Sequence, residues 1–236
     1  MIRALALETS GRTGSVALSV DGGVVAEETF SHGLQHAATL LPMIDRLTQQ
    51  QGWRPADIGR IHVSIGPGSF TGLRVGVTLA KTLAFATGAT ITAVPSANVL
   101  LANAPADARE VVIVLDAKRG QIFTARFTRL SPGAAWTEAE AAHLDTLAAM
   151  LAKAGRPVHL IGEGIPYHRD AWQAAGDGVV ITDESLWRAR AAAVAELGHT
   201  MAERGEFADA YELIPLYVRI PEAEEKRLAA EAGGTL

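Results

Sequence analysis

Cysteine is absent from the 236 residues. Disulfides and thiolate metal sites are therefore excluded, and the absence fits a reducing compartment. No apolar run approaches the ~18 residues that a membrane-spanning helix needs. The residues after Met1 read directly as a strand, so no signal peptide is expected and a cytoplasmic location is. Excess positive charge is missing too: the net charge is −5 and the pI about 5.8. That argues against a chain that grips nucleic acid by bulk electrostatics. Several catalytic signatures are also missing. No Lys-Ser/Thr pair follows the glycines as in GxxxxGK[ST], Gly72 falls one residue late for GxGxxG, and no GxSxG elbow or Ser-His-Asp set can be assembled. What is present is a chain of 48% apolar and 20% charged residues, long enough for one large domain or two small ones with a packed core.

The most distinctive stretch is Gly66-Pro67-Gly68-Ser69-Phe70-Thr71-Gly72-Leu73-Arg74-Val75-Gly76. It lies between an alternating strand at 60–65 and a helical pattern that runs to about residue 86. Its glycines allow a sharp bend and a close backbone approach to a ligand. Ser69 or Thr71 can cap the helix, whose first turn then favours an anion. The competing reading is a strand-to-helix turn that holds no ligand.

Residues 2–7 read as a buried strand, 15–20 as an alternating one, and Asp21-Gly22 as a hairpin turn into a third strand at 24–30. A helix follows over 34–50, with Ala37, Leu40, Leu41, Ile44 and Leu47 on one stripe and Pro42 expected to kink it. The helix after the glycines turns Leu73, Val77, Ala80 and Ala84 inward, and a strand at 90–94 closes the segment. The order β-β-β-α-β-α-β-α is that of a ribonuclease-H-like or actin-like subdomain. A boundary is expected near Ala104-Pro105, giving subdomains 1–105 and 106–221 and a flexible tail 222–236. The second subdomain repeats the opening theme: a buried strand at 110–115, Asp116, the turn Lys118-Arg119-Gly120, and a return strand at 121–129. A loop at 131–136, helices at 144–154, 166–175 and 185–203, strands at 157–161 and 179–181, and an extended segment at 213–220 complete the expectation. Leu186, Ala189, Ala193, Leu197 and Met201 form the expected stripe of the last helix.

Two such halves make a cleft, a common place for a ligand. Glu8 and Asp116 end the corresponding buried strands and could serve a metal or phosphate there, or simply cap turns. The candidate nucleotide or phosphate contacts are Thr9, Ser10, Gly66, Gly68 and Asp116. His32 and His36 form an HxxxH, but no third ligand is signalled, and no metal site is expected. The helix is apolar almost all round from Val75 to Ala86, so it must bury a second face on the domain or on another chain.

Leu5-Ala6-Leu7-Glu8-Thr9-Ser10, His36 with Leu40-Leu41-Pro42, the glycine stretch through Arg74, Asp116-Ala117-Lys118-Arg119-Gly120-Gln121-Ile122-Phe123 and Pro215-Leu216-Tyr217-Val218-Arg219 occur in that order. In series they resemble the bacterial TsaB (YeaZ) family, accessory subunits of the machinery that makes threonylcarbamoyladenosine in tRNA. The resemblance implies an α/β fold of two ribonuclease-H-like subdomains of the actin-like ATPase (ASKHA) type. It implies a subunit that is not an enzyme on its own and that pairs with TsaD, the threonylcarbamoyl transferase, with TsaE, an ATPase, as a further partner and a homodimer when alone. TsaD carries a metal-binding HxxxH where this chain has Pro95-Ser96-Ala97-Asn98-Val99, so the metal chemistry is implied to be lost and no catalytic residue is assigned. The implied partner face is Gly68, Ser69, Phe70, Thr71, Leu73, Arg74 and Val77. ATP or ADP with Mg is implied for the complex rather than for this chain alone, and contact with tRNA is implied to run through the complex. The family usually has Asp at the position of Glu8. The alternative is a stand-alone ASKHA-type ATPase or kinase, for which the chain is short. Nothing in the sequence supports a peptidase.

Overall fold

The computed structural model describes residues 1–31, 36–219 and 227. Its framework is two mixed sheets with the same strand order. In the first, β1 (Arg3–Glu8), β2 (Thr13–Val20) and β3 (Gly23–Ser31) form an antiparallel meander, and β4 (Arg60–Ser64) and β5 (Thr90–Val94) add parallel to β1, giving the order β3-β2-β1-β4-β5. In the second, β6 (Glu110–Ile113) with its short continuation β7 (Leu115–Asp116) pairs antiparallel with β8 (Ile122–Thr128), which pairs with β9 (Thr137–Asp145). On the other side β10 (Val158–Ile161) and β11 (Val179–Ile181) add in parallel. Each sheet is the ribonuclease-H-like five-strand pattern, and the pair is an ASKHA-type fold.

Leu5, Leu7, Val16, Leu18, Ile61 and Val63 alternate onto one face of the first sheet. There they meet Leu40, Met43, Ile44 and Leu47 of α1 (His36–Gln50) and Val77, Ala80 and Ala84 of α2 (Phe70–Thr87). The inward stripe of α2 is the expected one, with Leu73 and Val77 only 1% and 3% exposed. On α1 the expected stripe holds at Leu40, Ile44 and Leu47, whereas Leu41 is exposed and Met43 is buried in its place; the Ala37 side chain lies outside what is described. The helix runs through Pro42. His32 lies outside the described residues, and His36 is described only as the first residue of α1. The tail expected at 222–236 also falls outside them, apart from residue 227.

The opposite face of the first sheet carries small and polar side chains: Ala4, Ala6, Ser15, Ala17, Ser19, His62, Ser64 and Thr92, all buried. It is covered by α6 (Ala191–Glu203), which comes from the far end of the second half. The small residues suit this close contact: a Cβ on Gly198 would stand 2.4 Å from His62 Cγ. First-sheet side chains also cap this helix. Ser15 Oγ accepts from the Ala191 N–H at 2.8 Å, and Glu27 Oε1 accepts from the Ala192 N–H at 3.0 Å, satisfying donors that the first helical turn leaves unpaired.

The expected helix over 185–203 is therefore shorter. Residues Glu184–Leu186 form a 3-10 turn capped by Asp183, and α6 begins at Ala191. Its buried stripe is Ala191, Val194, Ala195, Gly198 and Ala202 rather than the one read from the sequence. Strand β9 was also unforeseen, and it makes the repeat between the halves fuller than a shared strand-turn-strand. α3 (Ser96–Leu101) links the halves, while α4 (Leu147–Lys153) and α5 (Arg169–Ala174) lie on the second sheet.

Candidate functional site

The turns after β1 and β7 face each other across a cleft of about 310 Å³, walled by Ser10, Arg12, Ser69, Asp116, Lys118 and Glu163. A second hollow of about 490 Å³ shares the Gly68, Ser69, Asp116 and Lys118 wall and extends under Phe70, Leu216 and Tyr217.

The glycines of this head receive the chain's own first turn. A Cβ on Gly68 would lie 2.4 Å from the Ser10 carbonyl oxygen, one on Gly72 2.0 Å from the Thr9 carbonyl oxygen, and one on Gly76 2.3 Å from Thr9 Oγ1. The Ser69 N–H donates to the Ser10 carbonyl at 2.7 Å, and Ser69 Oγ caps the helix by accepting from the Gly72 N–H at 3.3 Å. Gly72 and Gly76, four apart on one side of α2, and Gly68 just before its cap thus serve contact between two segments of the fold. The close approach foreseen from the sequence is real, but its object is the β1–β2 turn.

This packing sorts the candidate phosphate contacts. Thr9 is buried beneath α2. Gly66 is buried as well, its N–H donating to Ser96 Oγ at 2.9 Å and its carbonyl accepting from the Ser96 N–H at 2.8 Å. Ser10, Gly68 and Asp116 do line the cleft. Glu8 lies beneath the turn, fully buried, with Oε1 accepting from the Ser10 N–H at 2.5 Å. Burial pushes its carboxyl above the usual carboxylate range, against the pull of the Ser10 N–H and the nearby Ser10 and Ser64 hydroxyls, and the charge of Glu163 adds to the rise. Partial burial also opposes ionisation of Asp116. There the hydrogen bonds from Lys118 Nζ at 2.6 Å and the Lys118 N–H at 3.1 Å win, with the charges of Lys118 and His168 adding to them, and hold it below the usual range.

The candidate partner residues divide just as plainly. Leu73 and Val77 point into the core, so they build the helix rather than present it. Gly68 is half-buried, whereas Ser69, Phe70, Thr71 and Arg74 are exposed. The Arg74 guanidinium carbon stands 3.8 Å from the Phe70 ring centroid, and Arg74 Nε donates to Tyr217 Oη at 3.0 Å. The Phe70 and Tyr217 rings are 5.2 Å apart. Tyr217 is the member that sequence reasoning missed as a site residue. It arrives on a strap over residues 207–219 that runs along α2, fastened where Lys81 Nζ donates to the Tyr211 and Leu213 carbonyls and where the Leu216 N–H donates to the Ile65 carbonyl. Phe85 and Tyr211, each 80% exposed, extend the apolar face toward the other end of the helix.

No helix among the described residues is long and apolar enough to cross a membrane. The family model described as TsaD, tRNA N6-adenosine threonylcarbamoyltransferase, matches residues 12–226. The tRNA threonylcarbamoyladenosine biosynthesis protein TsaB of Bacillus subtilis (strain 168) is 31% identical over 240 residues, spanning 96% of this chain and 98% of the relative. Among solved structures, YeaZ from Pseudomonas aeruginosa superposes with a TM-score of 0.74 at 25% identity, covering 92% of this chain and all of the other. A crystal structure described as an uncharacterized protein with similarity to peptidase YEAZ, also from Pseudomonas aeruginosa, gives 0.77 at 25% identity, with 93% and 100% covered.

Proposed function

The chain belongs to the TsaB family, and from that membership we propose that it takes part in tRNA threonylcarbamoyladenosine biosynthesis as a non-catalytic subunit that pairs with the TsaD transferase. The observation that carries the pairing is the Phe70–Arg74–Tyr217 stack at the head of α2. Aromatic and arginine side chains, preorganised on a rigid helix and left exposed, are what anchors a protein interface. The non-catalytic assignment draws on the segment after β5. The transferase's metal-binding HxxxH, implied at this position by the resemblance, is replaced by residues that pack: Ser96 holds the Gly66 backbone, and Ala97 and Val99 are buried. In this reading TsaE joins the pair, a homodimer through the same face forms when TsaD is absent, and ATP or ADP with Mg enters with the complex. The chain acts in the cytoplasm and meets tRNA through the assembly.

Co-purification with TsaD of the same organism by size exclusion, with and without ATP, tests the proposal. A shared peak that Arg74→Glu splits supports it. Separate peaks under both conditions overturn it and return attention to ATP turnover by the isolated chain.

A further inference from the structure

The stretch Pro215-Leu216-Tyr217-Val218-Arg219 does more than deliver Tyr217 to the head of α2. Up to Leu216 the strap is fastened to the first half. The Ala208 N–H donates to the Ile91 carbonyl at 2.9 Å, Lys81 Nζ holds the Tyr211 and Leu213 carbonyls at 3.2 and 3.0 Å, and the Leu216 N–H donates to the Ile65 carbonyl at 2.7 Å. Leu213 is buried in the core of that half. Arg219 then crosses to the second half. Its guanidinium donates through Nη1 to the Ala117 carbonyl and through Nη2 to Gln121 Oε1. It thus grips both ends of the β7–β8 turn, which the Ala117 N–H closes by donating to the Gln121 carbonyl at 3.0 Å. Among the described residues, the backbones of Tyr217 and Val218 make no hydrogen bond. Tyr217 is therefore suspended between two fixed points, Leu216 on the first half and Arg219 on the second. The two steps of chain from Tyr217 to Arg219 span at most about 7 Å, which leaves little slack between the Tyr217 ring and the turn that Arg219 grips.

We propose that Arg219 is a positioning residue for the partner face: by pinning the end of the strap to the turn at 117–121, it holds the Tyr217 ring against Phe70 and Arg74. The face that a partner meets is then set by the second half as well as by α2. The inference rests on the reading of the Phe70–Arg74–Tyr217 stack as that face, and it names what orders the stack. If the turn at 117–121 moves away from the α2 head, either the Arg219 bonds break or Tyr217 leaves Phe70 and Arg74. A partner then meets a loose ring, and ordering it costs binding energy. The planar guanidinium fork suits the task, because it reaches a backbone carbonyl and a side-chain amide at once, whereas a lysine ammonium is a point charge on a flexible stem.

Two measurements on the full-length protein test the proposal. The first needs no partner. With labelled tyrosine, the Tyr217 ring resonances report the ring current of Phe70, and those of Tyr211, 80% exposed, give the reference for a free ring. Arg219→Ala should move the Tyr217 resonances toward that reference. Gln121→Ala, made in the other half, should move them the same way by less, and Arg219→Lys should fall between the wild type and the alanine variant. The second is calorimetric titration with TsaD of the same organism. Arg219→Ala should weaken binding about tenfold, the upper end of what ordering one interface side chain costs, and should add nothing in a Tyr217→Ala background. Tyr217 resonances unmoved by Arg219→Ala overturn the proposal. So does an effect on affinity that persists in full in the Tyr217→Ala background, because Arg219 would then touch the partner itself. A wild type that does not bind TsaD overturns the reading of the face, while the Tyr217 resonances still decide for or against the pinning. If Arg219→Ala does not fold, Gln121→Ala decides: unmoved Tyr217 resonances overturn the proposal.

Discussion

His62 makes the stability of the protein depend on pH in a way that one substitution isolates. Its ring is fully buried between β4 and α6, and neither ring nitrogen has a hydrogen-bond partner among the described residues. Burial, then the charges of Arg60 and His199, lower its pKa from 6.5 to about 4. The folded protein therefore keeps the ring neutral at pH values where the unfolded chain binds a proton. Stability is full above pH 6.5 and falls as the pH drops toward 4, because there the unfolded state holds more protons. At 1.36 kcal/mol per unit, the loss from this residue is about 2 kcal/mol at pH 5 and approaches about 3 kcal/mol near pH 4. For a chain of this size, 2 kcal/mol corresponds to roughly 4–8 °C in melting temperature. Other acids and bases titrate over the same range, but they are common to the wild type and to His62→Gln, and they cancel in the difference. Melting curves of the two proteins at pH 7 and pH 5 should therefore show the wild type losing more stability, by that margin. Parallel pH profiles would refute the reasoning.

Phe70→Ala should leave the melting temperature of the isolated chain unchanged and weaken association with TsaD by about 2 kcal/mol, read by calorimetric titration; unchanged affinity would count against the α2 head as the partner face. Gly72→Ala should destabilise by about 3 kcal/mol, at the upper end for overpacking, because its Cβ would lie 2.0 Å from the Thr9 carbonyl oxygen; denaturant melts measure it. Glu8→Gln should stabilise the protein at pH 8. The folded pKa of Glu8 is raised, so the wild type loses stability as the pH climbs from the usual glutamate value through the folded one, and the amide does not. A wild-type protein more stable than this variant at pH 8 would contradict that sign.

The first half was legible in the sequence because its signals are local and agree with one another. The alternation of Val16 and Leu18, the Asp21-Gly22 turn and the stripe Leu73, Val77, Ala80 and Ala84 each match their element. Strand β9 was not legible. Its sequence, TEAEAAHLD, is rich in alanine and glutamate, and as an outer strand it has only half-buried or exposed positions, so no apolar alternation marks it. The true start of α6 was hidden for a different reason: its caps, Ser15 and Glu27, lie in the other half of the chain. At the site, the position of the α2 head was readable from Gly66 to Arg74. That its glycines seat Thr9 and Ser10 had a faint signal in the spacing 68, 72, 76. The reach of Glu163 to the Arg12 N–H had none, because a lone glutamate in a loop says nothing about what lies across a cleft.

The crossing of α6 onto the first sheet carries a consequence for how the protein is born. On the ribosome, all five strands of that sheet have been made by Val94, yet the face bearing Ser15, His62 and Thr92 stays without its cover until Ala191 to Glu203 are synthesised. Roughly 100 residues of translation intervene, on the order of 5–20 s at ordinary elongation rates. During that interval the nascent sheet has only its α1/α2 side closed. A nascent chain stalled before Ala191 should therefore protect the amides of β1 and β4 less than one stalled after the α6 segment has left the exit tunnel. Translation order makes the last helix the step that completes the first half.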